Sequence, residues 1–363
     1  MKKVLVTLLV LAVAMSSVFA AVDITGELVA GYAMKVGGPE KYLGYVYGQD
    51  GENTNTAKLN FGVADENGLW SIALKGFVYA DDRLGGSVTV DLAKLIAGDT
   101  NFSAKLGLTY GRITTLRAYS MQKDFDRMRT ADTSLWTSLN LGYAFDGGSV
   151  EVQIAGIPAL DPGKVDEEKN DGLLGGSEGD FAVSALAKWN GLAVSAGYIL
   201  KGDANDSSMG GTDNYAKGLV GGAVDVNLGS LIGTDFDFGV AASDKYSIGD
   251  EINMLGVAAY FGFDPAKVTV QYGLTTKTGA AADHFFYAGV DVTAIENLAL
   301  TVYGGAYSFS AESWYVGATA GYTVSSVTFQ LGLEYANSKS FKYDGHDGDV
   351  GGFWIVPSVK VAF

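Results

Sequence analysis

The chain carries five arginines, Arg83, Arg112, Arg117, Arg127 and Arg129, and four of them fall in one short stretch beside Lys123, Asp124, Asp126 and Asp132. A guanidinium is a fixed cation whose planar fork matches carboxylates and phosphates. Two readings of the stretch stand side by side. Opposed cations and carboxylates can line a water-filled passage, where rings of charged side chains set selectivity. Alternatively, the stretch is a surface loop whose charges pair with external phosphates or with one another. Other chemistry is sparse. His284 and His346 are the only histidines, there is no cysteine, and no Gly-x-Ser-x-Gly elbow occurs. The base and nucleophile of a hydrolase are therefore not assembled in any recognisable pattern, and no enzymatic activity is expected. Asp344, Asp347 and Asp349 offer oxygen ligands at the close spacing of a Ca²⁺ loop, without a bidentate Glu at the matching distance. No phosphate-binding glycine loop opens a helix, so no nucleotide cofactor is expected.

The elements that position these residues begin after the first twenty. Lys2 and Lys3 precede an apolar stretch, Val4 to Met15, broken only by Thr7, and Val18-Phe19-Ala20 is a small-x-small site. That is the plan of a secretory signal peptide cut after Ala20, leaving 21–363 as one domain. The apolar run is too short for a membrane-spanning helix, which needs about 20 apolar residues. The formal net charge is −16, and loss of Lys2 and Lys3 takes the mature chain to about −18. So acidic a protein is a poor partner for nucleic acid. Glycine accounts for 50 of 363 residues, with 38 Tyr and Phe and only 5 Pro. That glycine share is about twice the ~7% average and has no collagen period, which points to strands and tight turns.

From there to the end the chain alternates. Val268, Val270, Tyr272 and Leu274 oppose Thr269, Gln271, Gly273 and Thr275, and Val327, Phe329, Leu331 and Leu333 oppose Thr328, Gln330 and Gly332. A period of two is the signature of a strand. Eighteen segments carry it: 22–34, 54–64, 68–79, 86–92, 102–113, 134–145, 149–158, 180–189, 191–200, 218–228, 234–243, 253–263, 266–276, 283–293, 297–307, 313–323, 325–336 and 351–363. Most run to about ten residues, the length a tilted strand needs to cross a bilayer. Tight connections such as Asp146-Gly147-Gly148 and Asn190-Gly191 alternate with a set that includes the long loops 35–53, 114–133, 159–179, 201–217 and 337–350. With both termini on the short-turn side the count must be even; sixteen would also satisfy this. Val90-Asp91-Leu92 leading to Leu95-Ile96 and Gly98 is echoed by Val226-Asn227-Leu228 leading to Leu231-Ile232 and Gly233, as if one turn solution were used twice.

The predicted fold is all-β: a transmembrane antiparallel up-and-down barrel. In hydrocarbon every backbone polar group needs an internal partner, so helices or closed barrels alone can span it. Lys58, Lys75, Lys105, Glu151, Asp237, Glu334 and Lys360 all fall on the polar parity and are read as facing the lumen. A ring of sixteen to eighteen strands is too wide for side chains to fill. The charged face must therefore be the inner one, and the apolar face must meet lipid. Trp70 and Trp189 at one set of strand ends, and Trp136, Trp314 and Trp354 at the other, are read as interfacial girdles.

The final residues, Val359-Lys360-Val361-Ala362-Phe363, resemble the assembly signal of Gram-negative outer-membrane barrels. With the leader and the strand pattern, the whole chain resembles a bacterial porin, although it lacks the Pro-Glu-Phe-Gly-Gly-type motif of many proteobacterial members. The resemblance implies a passive channel for small hydrophilic solutes and ions in the outer membrane, in contact with membrane lipid and lipopolysaccharide. It also implies delivery to the barrel-assembly machinery through Phe363, and a homotrimer. In such barrels the loop after the fifth strand commonly turns inward. That would make Arg112, Arg117, Lys123, Asp124, Asp126, Arg127 and Arg129 constriction residues. A structural or adhesive barrel whose loops 35–53, 159–179 and 337–350 bind partners is the alternative, and an outer-membrane hydrolase is the third.

Overall fold

The structure, a computed structural model, describes residues 20–36, 42–45, 56–65, 67–77, 85–111, 113–121, 125, 127–129, 134–156, 181–203, 215–307, 313–337 and 351–362. Their strands are β1 (Ala20–Val36), β2 (Tyr42–Tyr45), β3 (Thr56–Asp65), β4 (Trp70–Phe77), β5 (Gly85–Asp91), β6 (Phe102–Gly111), β7 (Ser134–Phe145), β8 (Gly148–Gly156), β9 (Phe181–Trp189), β10 (Leu192–Asp203), β11 (Tyr215–Asn227), β12 (Asp237–Ser247), β13 (Ile252–Phe263), β14 (Ala266–Lys277), β15 (Asp283–Ile295), β16 (Leu298–Tyr307), β17 (Trp314–Val324), β18 (Val327–Ala336) and β19 (Gly352–Ala362). From β3 onward each strand pairs antiparallel with the next. β1 is bonded along one edge to β3, with Glu27 opposite Lys58, and along the other to β19, with Glu27 opposite Ala362. The ladders thus return to the strand they start from.

All eighteen expected segments are members of this ring. The nineteenth strand, β2, is a short addition within the long 35–53 connection, paired with Tyr32–Lys35 at the far end of β1. Its four residues are too few to produce a readable period. No helix among the described residues is long and apolar enough to cross a membrane. The leader before Ala20 and the terminal Phe363 lie outside the described residues.

Turn chemistry sets the register. Asn190 and Gly191 both take positive φ, 40° and 84°, as a two-residue hairpin turn requires. The echoed segments form two short helices, Leu92–Ala97 and Leu228–Ile232. Each is capped at its start by the last residue of the preceding strand. Asp91 accepts from the Lys94 N–H at 3.1 Å, and Asn227 accepts from the Ser230 N–H at 2.9 Å. Lys94 is bonded to Asp99 at 2.8 Å, which raises the lysine above its usual range.

The two faces of the ring differ in chemistry. Val194, Val240, Val257, Val270, Val302 and Leu331 share one parity and are exposed. On the other parity Ser184, Ser243, Ser247, Gln271 and Glu334 are buried. A lone barrel has nothing outside it to cover polar side chains, so the polar parity is the concave one. Of the five tryptophans, Trp189 and Trp314 are exposed on the apolar face. Trp136 and Trp354 are buried on the inner face, which corrects their assignment to an interfacial girdle. Among the described residues two charges break the rule: Asp65 ends β3 on the outward parity, where it accepts from the Asn67 and Leu69 N–H groups of the turn, and Asp244 is exposed on the outward parity of β12, beyond the Ser243 at which sequence alternation ends that strand.

An arginine introduced at Val270, on the outward row of β14 between Ala259 and Ala288, is expected to lower the unfolding free energy of the lipid-embedded protein by roughly 2–4 kcal/mol. The same residue introduced at Glu151, on the inner face, is expected to change it far less. Denaturant titration in detergent-free vesicles measures both.

Candidate functional site

The stretch between β6 and β7 does not stay at the rim. Its arms run against each other, with Thr114 bridged to Arg129 and the Thr115 N–H donating to the Met128 carbonyl at 3.0 Å. Beyond this base it lies along the polar face of β9 to β15. The Leu116 N–H donates to Ser184 Oγ at 3.1 Å, and the Ala118 N–H donates to Ser195 Oγ at 3.0 Å. The Lys245 ammonium donates to the Arg127 carbonyl at 3.2 Å, and the Ser243 hydroxyl approaches Met121 Sδ at 3.3 Å. These partners answer backbone groups that would otherwise be stranded, since a loop off the ladder has no strand to bond to.

Packing holds the same segment at two places. Ile113 and Met128 at its base join Trp136, Ala155, Ala182, Ile199 and Leu219 in one buried cluster. Met121 and Phe125 join a second with Ala258, Met254, Phe285 and Tyr287, against which Tyr119 also packs. The Phe125 ring sits 5.8 Å from that of Phe285, and Tyr119 stacks on Tyr260 at 5.6 Å with planes 10° apart. Gly273 makes room for Phe125: a Cβ there would run into the ring.

Of the expected constriction residues, Arg117, Arg127 and Arg129 belong to this segment and are half-buried. Arg112, Lys123, Asp124 and Asp126 lie outside the described residues. The opposition of Arg117, Arg127 and Arg129 to Asp124 and Asp126 is therefore not described. Among the residues read as lumenal, Lys105, Glu151 and Asp237 are exposed on the polar parity, and Lys360 is half-buried. Lys75 pairs in register with Asn60, and Lys58 with Phe77; the side chains of Lys58 and Lys75 are not among those described. Glu334 has the expected parity but is 1% exposed and accepts from the Tyr303 hydroxyl at 2.7 Å, so it braces the wall. Asp344, Asp347 and Asp349 fall outside the described residues, as does His346. His284 is engaged through Nδ1 with the Tyr272 hydroxyl at 2.8 Å on the apolar face.

Near the short-turn end of the inner face a polar network forms. Lys267 pairs with Asp237 at 2.8 Å and lies 4.8 Å over the Tyr260 ring. Tyr260 donates to Asp225 at 3.1 Å, and Asn227 donates to Asp237 at 2.9 Å. Beside it, a recess of about 850 Å³ is bordered by Ala118, Lys188, Ala193, Asp225 and Asn227.

The wall anchors were missed by sequence reading, yet they leave a signal. Ile199, Leu219, Ile252, Met254 and Phe285 are apolar residues on the polar parity, which a simple water-filled bore would not tolerate. Lys245 was missed because the period fades after Ser243, where the strand in fact continues to Ser247.

OpdQ of Pseudomonas aeruginosa matches over 95% of this chain and 98% of its own, with 11% identity and a TM-score of 0.56. The fold is that of an outer-membrane porin. An anion-selective porin from Comamonas acidovorans matches at 11% identity, 95% and 100% coverage and a TM-score of 0.46. A Rh. blastica porin variant matches at 12% identity, 94% and 100% coverage and a TM-score of 0.43. No family model matches the chain, and no curated protein does either. A porin-type barrel carries its apolar belt outward into the bilayer, in agreement with the exposed rows described above.

Replacing Ser184 and Ser195 together with alanine leaves two part-buried N–H groups of the inward segment without acceptors, at about 1–3 kcal/mol each. In barrels that keep their heat-modifiable gel migration, this variant and Phe125→Ala are each expected to speed proteolytic cleavage within 113–129. A cleavage rate equal to the parent's would mean that these contacts do not hold the segment.

Proposed function

We propose that this protein is a passive outer-membrane channel for small hydrophilic solutes and ions. Its bore is narrowed by the segment after β6. The observation that carries the proposal is the course of that segment: it leaves the rim and is fixed along one side of the polar inner face by Ser184, Ser195, Lys245 and two apolar clusters. A closed ring of eighteen strands leaves more interior than side chains can fill. A segment held on β9 to β15 leaves the space toward β6, β8 and β19 to water, with Lys105, Glu151 and Lys360 exposed or half-buried on that side.

In this reading Arg117, Arg127 and Arg129, with Arg112 and Lys123, supply positive charge at the narrowest point, and Asp124 and Asp126 supply the opposing carboxylates. Such an arrangement sorts ions by sign and orients polar solutes, and it needs no catalysis and no cofactor. The precursor is exported with cleavage after Ala20, handed to the assembly machinery through Phe363, and set among lipid and lipopolysaccharide as a homotrimer.

Purified protein in planar bilayers is expected to give discrete, ohmic conductance steps. A membrane-inserted but silent barrel would favour the adhesive alternative and overturn the channel. Arg127→Ala/Arg129→Ala is expected to move the zero-current potential in a KCl gradient toward cation preference. An unchanged potential with steps of unchanged size would remove these arginines from the constriction while leaving the channel in place.

A further inference from the structure

The two short helices on the short-turn rim present unusual side chains for such a place. Leu95 and Ile96 are 61% and 84% exposed, and Leu231 and Ile232 are 48% and 65% exposed. Turns of this rim elsewhere are tight and polar, such as Asp146-Gly147 and Glu296-Asn297. Twice, six strands apart around the ring, the chain instead spends extra residues to display a Leu-Ile pair.

The caps determine how the pairs are held. Asp91 and Asn227 lie on the inward parity, and both are tied to the following strand. Asp91 accepts from the Ala104 N–H at 3.3 Å, and Asn227 donates to Asp237 at 2.9 Å. The start of each helix is thereby fastened on the lumenal side, while the pair three and four residues on is left uncovered. The second helix lies directly against the outward aromatic rim. Gly229 abuts the Phe236 carbonyl so closely that no Cβ would fit. Phe236 is itself 56% exposed and stacks on the outward Phe261 at 6.2 Å. The first helix is followed, after Gly98–Asn101, by Phe102, exposed on the outward row of β6 opposite Tyr143. Both pairs thus stand on the rim that also carries the exposed outward aromatics Phe102, Tyr143, Trp189 and Phe236.

We infer that these two turns are lipid feet: Leu95-Ile96 and Leu231-Ile232 enter the headgroup–acyl boundary of the leaflet on the short-turn side and fix the depth of the barrel there. The chemistry is that of short interfacial helices, whose apolar side chains are buried at the edge of the acyl region while the polar caps stay in water. Rigid caps suit the task, since a foot that swings cannot set a depth. The occupant is phospholipid rather than a protein, because each helix is followed on the same rim by an exposed aromatic at the edge of the belt that faces acyl chains, Phe102 for the first and Phe236 for the second.

The inference rests on the membrane-barrel reading, and the experiment separates the two. The chain has no cysteine, so each introduced one is unique. Ile96→Cys and Ile232→Cys, with Val270→Cys as the acyl reference and Asp146→Cys as the aqueous reference, are nitroxide-labelled and reconstituted in phosphatidylethanolamine–phosphatidylglycerol vesicles. Relaxation by oxygen is compared with relaxation by a water-soluble nickel chelate. Labels at 96 and 232 are expected to favour oxygen, with the sign of the Val270 label. Labels at 96 and 232 that favour the chelate, as at Asp146, would overturn the feet while the Val270 label upholds the barrel; such surfaces would then await a periplasmic partner or a second copy. A Val270 label that itself favours the chelate would remove the membrane barrel and the feet together.

Discussion

A strand in hydrocarbon has no water to bond to, and every other feature of this protein follows from how that debt of hydrogen bonds is met. The answer is a ring of ladders in which β1 is bonded both to β3 and to β19. Once the ring exists, its two faces are obliged to differ. The convex side must be apolar because it meets acyl chains, and the concave side is free to carry serine, tyrosine and charge. The alternating sequence is the written form of that obligation.

The ring was legible in the sequence because a period of two is a local signal. Val270 and Gln271 announce opposite faces without any knowledge of partners, and Asn190-Gly191 announces its own turn. All eighteen strands could be read that way, and the paired Asp91/Asn227 echo pointed to a short helix capped in the same way at its start in both places. What could not be read was anything set by contacts distant in sequence. Trp136 and Trp354 sit at strand ends, where an interfacial role is natural; the lumenal parity of Trp354 was legible, but the buried neighbours that cover both rings were not. Glu334 looks like one more lumenal charge until the Tyr303 hydroxyl is placed against it.

The inward segment shows the same division more sharply. Its cluster of arginines was visible as composition, but its course was not, because a loop without periodicity carries no register. The wall that receives it is marked only indirectly, by Ile199, Leu219, Met254 and Phe285 appearing where alternation calls for polar residues. A lapse in alternation on the inner parity of a wide barrel is thus a physical clue to an occupied interior. Apolar side chains are stable there only beneath something that excludes water.

Filling the ring from one side makes it lopsided. Along β9 to β15 the interior behaves as a protein core, close-packed and intolerant of changes in volume, with Phe125 seated over Gly273. Along the facing strands it behaves as a wetted surface. Two substitutions of the same kind, one on each half, would therefore be felt in different ways: one as a loss of architecture, the other as a change in traffic.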